Sequence, residues 1–235
     1  MELINNSMDI IITGASKGIG NFLATHFFLK GNSVFGTYNS TEPELNLGYN
    51  MSKVDVSNYE QVELWIQSIQ LKSRKIVLIN AAGISYNSFA HKADPDKWLE
   101  VININLFGSF NTCRYILPLM REANYGRIIN FSSVVPQLGV IGTSAYAASK
   151  AGLWGLTKTL SIENATKGIT VNNLNLGYFN IGMIKDVPED MQKLLVQKIP
   201  LQTFGDPCNI INAIEFLIES DYTTGTSINI NGGLF

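Results

Sequence analysis

A chain of 235 residues, 46% hydrophobic and 15% charged, can bury one large core or, less comfortably, two small ones. Its formal net charge of -2 gives no electrostatic case for nucleic acid or for an anionic membrane surface. Two cysteines, Cys113 and Cys208, stand far apart without metal-like spacing and read as reduced thiols of a reducing compartment. The first residues lack the basic start and apolar run of a signal peptide. No apolar stretch approaches the roughly 20 residues that span a bilayer, so a cytoplasmic protein is expected.

In chain order, DIIITG (9–14) is an apolar run ending at glycine, a buried strand. Residues 21–31 place Phe22, Leu23, His26 and Phe27 at helical spacing and stop at Gly31. SVFGTY (33–38) is a second strand, and the short segment before Asp55, with Pro43 and Gly48, leaves room for only a reduced helix. Over 57–70, Ser57 and Glu60 have capping-box spacing ahead of Val62, Trp65, Ile66 and Ile69. KIVLINAAG (75–83) is a buried strand; Asp94 and Pro95 then form an N-cap and first helical position. Strands at 126–133 and 169–177 flank a long helix from Ser144, and NAIEFLIES and TSININGG supply a last helix and strand. This alternation predicts an α/β fold of Rossmann type: a doubly wound, mostly parallel sheet with helices on both faces. Ligands are then expected beyond the C-terminal ends of the strands.

The first strand runs into three glycines, Gly14, Gly18 and Gly20. Their spacing is not G-x-G-x-x-G, so taken alone the turn is either a phosphate cradle or a plain tight turn. Tyr146 and Lys150 lie four apart on a helix and share one face. A free tyrosine ionises near pH 10, and a neighbouring ammonium is expected to lower that value toward a useful acid/base range.

Thr13-Gly14-x-x-x-Gly18-x-Gly20, then NAAG (80–83), Asn105, Ser133 and YAASK with Tyr146 and Lys150 occur in one order. The ordered set resembles the short-chain dehydrogenase/reductase family, from about Asp9 to the terminal NGGLF. The resemblance implies a catalytic tetrad: Tyr146 exchanging a proton with the substrate oxygen, and Lys150 tuning Tyr146 and holding the nicotinamide ribose. Ser133, preferred over Ser132 by register, would bond the substrate carbonyl, and Asn105 would hold a water joining Lys150 to solvent. It also implies cofactor contacts from Gly14, Ser16, Lys17, Gly18, Ile19 and Gly20 at the turn. Asn39, Asp55 and Val56 would lie along the adenosine, Asn80, Ala81 and Gly83 in the NAAG segment, and Gly177 and Ile181 near the nicotinamide, with Tyr146 and Lys150 completing the set.

No acidic residue closes the second strand before Glu42, and Lys17 suits a 2′-phosphate, with Thr37, Asn39 and Ser40 adding hydrogen bonds. NADP(H) is therefore favoured, with NAD(H) left open. Leu176 and Ile181 depart from the proline and threonine usual in the family. The whole chain, 1–235, reads as one dinucleotide-binding domain with a short substrate lid near 182–200. Met191, Leu194, Leu195 and Ile199 give the lid an apolar face, which core packing would equally explain. The leading expectation is an NADPH-dependent carbonyl reductase of the 3-oxoacyl-[acyl-carrier-protein] reductase branch, acting on a small ketone or an acyl thioester. An NAD-dependent alcohol or sugar dehydrogenase and a non-catalytic dinucleotide-binding module are the rivals. The resemblance further implies a homotetramer, or otherwise a homodimer, packed through the helices carrying Asn105 and Tyr146. His26, His91, Trp65, Trp98 and Trp154 carry no expected chemistry, and no metal-ligand spacing occurs.

Overall fold

The computed structural model describes residues 7–43 and 48–235, so the first residues, read above for a signal peptide, lie outside the described residues. Seven strands form one parallel sheet: β1 (Asp9–Thr13), β2 (Ser33–Tyr38), β3 (Asn50–Lys53), β4 (Ile76–Asn80), β5 (Gly126–Ser133), β6 (Ile169–Leu176) and β7 (Ser227–Ile230). Their order is β3-β2-β1-β4-β5-β6-β7. The chain winds outward from β1, returns to β4 and winds the other way, which puts the topological switch between β1 and β4.

Burial is continuous along β1, β4, β5 and β6, yet alternate residues still go to opposite layers, as the period of two requires. Ile10, Ile12, Val77, Ile79, Ile129, Phe131 and Leu174 pack under α1 (Gly18–Leu29) and α8 (Cys208–Glu219). Ile11, Ile76, Leu78, Ile128 and Val171 pack under α2 (Tyr59–Ser68), α4 (Gly108–Ala123) and α6 (Ser144–Asn164). The second layer changes character along the strands. Its C-terminal rows are polar: Asn80, Asn130, Asn173 and Ser227 stand in one register, and Ser132, Asn175 and Asn229 in the next. These side chains bond one another and α6, through Asn80 Nδ2 to Asn130 Oδ1, Asn130 Nδ2 to Thr157 Oγ1 and Thr157 Oγ1 to Asn173 Oδ1. An unpaired amide in such a place would cost about 1–3 kcal/mol, so the row fixes how α6 sits on the sheet.

Several local expectations change. Asn58, not Ser57, caps α2: its side chain accepts from Glu60 N and Gln61 N. Ser57 is captured instead by Asp55, to whose Oδ1 both its N–H and its hydroxyl donate. Asp94 caps α3 (Pro95–Ile102) with Pro95 in the first turn, but the helix then loosens into a π-helical turn at Asn103–Phe107 before α4. The connection after β2 contains the strand β3, which sequence patterning did not indicate. The segment after β6 forms a short 3-10 turn (Gly182–Asp186) and α7 (Glu189–Lys198); α7 buries no residue, with Met191 and Leu194 exposed, whereas Ile184 and Ile199 on either side of it are buried. Three smaller elements complete the described residues, 3-10 turns at Ala90–Lys92 and Ala165–Lys167 and the short α5 (Val135–Leu138). Among the described residues no helix is long and apolar enough to cross a membrane.

At the N-terminal end of the sheet Arg127, 5% exposed, donates through Nε to Ile218 O and through Nη1 to Gly126 O and Gly168 O. Its guanidinium also lies 4.4 Å from the Tyr125 ring centroid. One cation thus ties the last turn of α8 to the turn before β6. Arg127→Met keeps the stem and strips those carbonyls of their donor, so about 2–4 kcal/mol of stability should be lost. Denaturant melts would show this with turnover per folded molecule unchanged; an unmoved midpoint would refute the assignment.

Candidate active site

The glycine turn leaves β1 at the switch point. Gly14 and Gly18 have φ of 68° and 56°, values that disfavour side chains. Gly14 N donates to Thr37 Oγ1 (3.2 Å) and Ala15 N to Thr37 O (2.7 Å). Thr37 is therefore buried and holds the glycine turn through both its hydroxyl and its carbonyl. Lys17 is the N-cap of α1, exposed, with no side-chain capping bond, and no acidic residue lies in the first turn. Backbone N–H groups of Gly18, Ile19 and Gly20 thus open the helix without a side-chain cap, a donor set suited to an anion. Thr13 Oγ1 accepts from Ala81 N and Ala82 N, both at 3.1 Å, and a Cβ on Gly14 would lie 2.8 Å from Ala82 Cα. The turns after β1 and β4 are thereby locked together.

From the β4 turn the site continues to α6. A Cβ on Gly83 would stand 3.2 Å from Asn105 Oδ1 and 3.5 Å from Lys150 Nζ. Asn105, fully buried in the π-helical turn, accepts from Ile84 N (2.8 Å) and donates to Ile84 O and Ser149 Oγ (3.0 Å each). Ser149 Oγ in turn donates to Tyr146 O. Ser149 was not singled out from sequence, although its place in YAASK next to Lys150 was the available signal. Lys150 Nζ donates to Phe131 O at 2.6 Å and lies 5.7 Å from the Tyr146 ring centroid. The Tyr146 hydroxyl shares a hydrogen bond with Ser133, whose Oγ also accepts from Val135 N. Ser132 points elsewhere, donating to Lys150 O and accepting from Trp154 Nε1. Tyr178, also missed from sequence, is close enough for its phenol to bear on that of Tyr146.

The electrostatics correct one expectation. Burial raises Tyr146 above the ordinary tyrosine value, the Ser133 hydrogen bond works against the rise and Tyr178 adds to it. The Lys150 ammonium, 5.7 Å from the ring centroid, does not reverse this rise. Burial lowers Lys150 itself from 10.5 to about 8. The cost of burying this lysine is therefore present in full below about pH 8 and is relieved as pH rises toward 10.5.

The remaining cofactor candidates divide. Gly177 N donates to Ile230 O, and a Cβ on Gly18 would lie 3.1 Å from Gly182 Cα, so the stretch after β6 meets the glycine turn. Ile181 is extended and half-buried against the α1/α8 layer. Asn39 is exposed just past β2, and the two bonds to the half-buried Asp55 carboxylate both fall on Oδ1. Two candidates turn inward. The Asn80 amide is used by Asn130 Oδ1 and Thr112 Oγ1, and Val56 is buried with its carbonyl taken by Asn111 Nδ2. Neither presents its side chain to the cleft.

A parallel doubly wound sheet with a glycine turn at its switch point and a Ser–Tyr–Lys cluster beside it defines a nucleotide-dependent oxidoreductase class. The family model for short chain dehydrogenase matches residues 9–192, and the chain belongs to the short-chain dehydrogenase/reductase family. It is 37% identical to the acetoacetyl-CoA reductase of Shinella zoogloeoides over 234 residues, 96% of this chain and 97% of that protein. It is 37% identical over 230 residues to the 3-oxoacyl-[acyl-carrier-protein] reductase of Rickettsia felis, covering 95% of each. The ligand-free structure of Thermoplasma acidophilum aldohexose dehydrogenase superposes with a TM-score of 0.87 at 28% identity, covering 97% of this chain and 94% of that one. The chain is an oxidoreductase acting on CH–OH or C=O groups.

Proposed function

We propose that the protein is an NADPH-dependent 3-oxoacyl-thioester reductase, converting a ketone to a secondary alcohol. The observation that carries the reading is the meeting of Ser133, Tyr146 and Lys150 at the C-terminal end of β5, next to the turns after β1 and β4. The uncapped amides of α1 and the glycine cradle fit a dinucleotide pyrophosphate. Gly14, Ser16, Lys17, Gly18, Ile19 and Gly20 would hold it, with Lys17 and Asn39 favouring a 2′-phosphate. Asp55 would take the adenine amine through Oδ2, with Val56 packed below. Ala81 and Gly83, set in place by Asn80, would border the nicotinamide ribose, and Gly177 and Ile181 the carboxamide. The dinucleotide supplies a hydride when bound.

The chain's own residues do the rest. Tyr146, protonated across neutral pH because burial raises it, gives its proton to the substrate oxygen. Ser133 bonds the same oxygen and stabilises its developing charge. Lys150 places a cation beside the phenol, and a lone pair left on Asn105 Oδ1 holds the water through which Lys150 reaches solvent. The entire chain acts as one dinucleotide-binding domain, and the 182–200 segment, with Met183, Met191 and Leu194 about half exposed, closes over an uncharged substrate. Exposed Phe107 and Phe110 on and next to α4 support assembly through α4 and α6 as a homotetramer.

The test is NADPH absorbance with an acetoacetyl thioester, run in parallel with NADH. NADPH-selective turnover is expected; saturable NADPH binding without turnover would defeat the thioester assignment. The aldohexose dehydrogenase likeness favours a second reading, an alcohol or sugar dehydrogenase. Preferential aldose oxidation with NAD would support that reading.

A further inference from the structure

Three consecutive residues of β5 meet α6 at three different points. Phe131 O accepts from the Lys150 ammonium at 2.6 Å, Ser132 Oγ donates to Lys150 O at 2.9 Å, and Ser133 bonds the Tyr146 hydroxyl. Lys150 is therefore held at both ends by one strand. Ser132, 3% exposed, is itself held: Trp154 Nε1, one helical turn beyond Lys150, donates to its Oγ at 2.9 Å. The same indole N–H is shared with Asn175 Oδ1 at 3.1 Å, and Asn175 Nδ2 donates to Asn229 Oδ1 at 2.9 Å. Further back on this face Ile128 and Val171 are apolar, so packing alone does not require polar groups here.

We infer that Ser132 and Trp154 are positioning residues: together they fix the turn of α6 that carries Lys150 and keep its ammonium on Phe131 O beside Tyr146. Lys150 faces Phe131 O from β5, Asn105 from the π-helical turn, Gly83 from the turn after β4 and the Tyr146 ring from its own helix. Among the described residues no carboxylate shifts its titration, which follows burial alone. Loosening the helix turn admits water to the ammonium, and its titration then moves up toward that of an ordinary lysine.

The experiment follows the ε-13C resonance of Lys150 through a pH titration of the cofactor-free protein, assigned with Lys150→Arg. In wild type it should titrate near about 8. Ser132→Ala, which deletes one oxygen, and Trp154→Phe should each move it upward by about one pH unit. The double variant should move it no further than the larger single change, because both act through one contact. The activity arm rests on the reductase reading: kcat should fall about tenfold in both variants. An unmoved Lys150 titration in folded Ser132→Ala overturns the inference, whatever Trp154→Phe does. A wild type inactive on thioesters whose Lys150 titration still shifts in the variants would defeat the proposed reaction and leave the positioning role standing.

Discussion

Tyr146→Phe should lower kcat by about 10²–10⁴-fold, the range for removing a positioned general acid, with NADPH affinity almost unchanged. Phenylalanine keeps the ring that lies 5.7 Å from the Lys150 ammonium, so the packing of α6 is preserved. What disappears is the hydroxyl that shares a hydrogen bond with Ser133 and that, in the proposed reaction, gives up its proton. The alternatives nearby are poor donors for the same oxygen. Ser132 is turned to Lys150 O, and Lys150 Nζ is bonded to Phe131 O. Steady-state kinetics on the acetoacetyl thioester, with fluorescence titration of NADPH, separate chemistry from binding. A variant that keeps more than about a tenth of kcat would show that another group supplies the proton.

The second large effect is expected at Gly20. A Cβ there would lie 2.1 Å from Gly14 O, 2.9 Å from Gly14 C and 3.2 Å from Ala15 Cα, all of them backbone atoms. Backbone cannot rotate aside as a side chain can, and Gly14 is already pinned to Thr37 Oγ1 on one side and closed in by Ala82 on the other. Gly20→Ala must therefore push α1 away from the turn. Stability should fall by about 1–3 kcal/mol, as for an overpacked core, and dinucleotide binding should fall out of the measurable range. Gly155→Ala is the matched control, since nothing lies within 4 Å of its Cβ position on α6. That change should stabilise the helix by about 0.5–1 kcal/mol and leave binding alone. Wild-type NADPH affinity in a folded Gly20→Ala protein would mean that the turn does not hold the pyrophosphate.

Short-range features were legible in the chain because their physics is local. Asp94 and Pro95 open α3 as their order suggests, and Gly31, with φ of 83°, ends the first helix. The capping of α2 went to the neighbour because both Ser57 and Asn58 can cap. Asp55, two residues before Ser57, takes its hydroxyl, and that competition is invisible in a spacing rule. The π-helical turn at Asn105 was likewise hidden, since it follows from what Asn105 must reach: Ile84 on one side and Ser149 on the other.

Apolar runs that alternate with helical periods determine a parallel sheet covered on both faces, since only burial on both sides satisfies such strands. The order of glycines, serine, tyrosine and lysine marks the family, and the family match over residues 9–192 agrees with it. Tertiary structure alone decided the charge states and the orientations. The Tyr146 hydroxyl is raised rather than lowered because desolvation by burial outweighs the hydrogen bond from Ser133. Asn80 faces the core, and Thr37 the glycine turn, because their partners come from strands and helices distant in sequence. Desolvation and hydrogen-bond partnership are sums over neighbours, and those neighbours exist only once the sheet has closed.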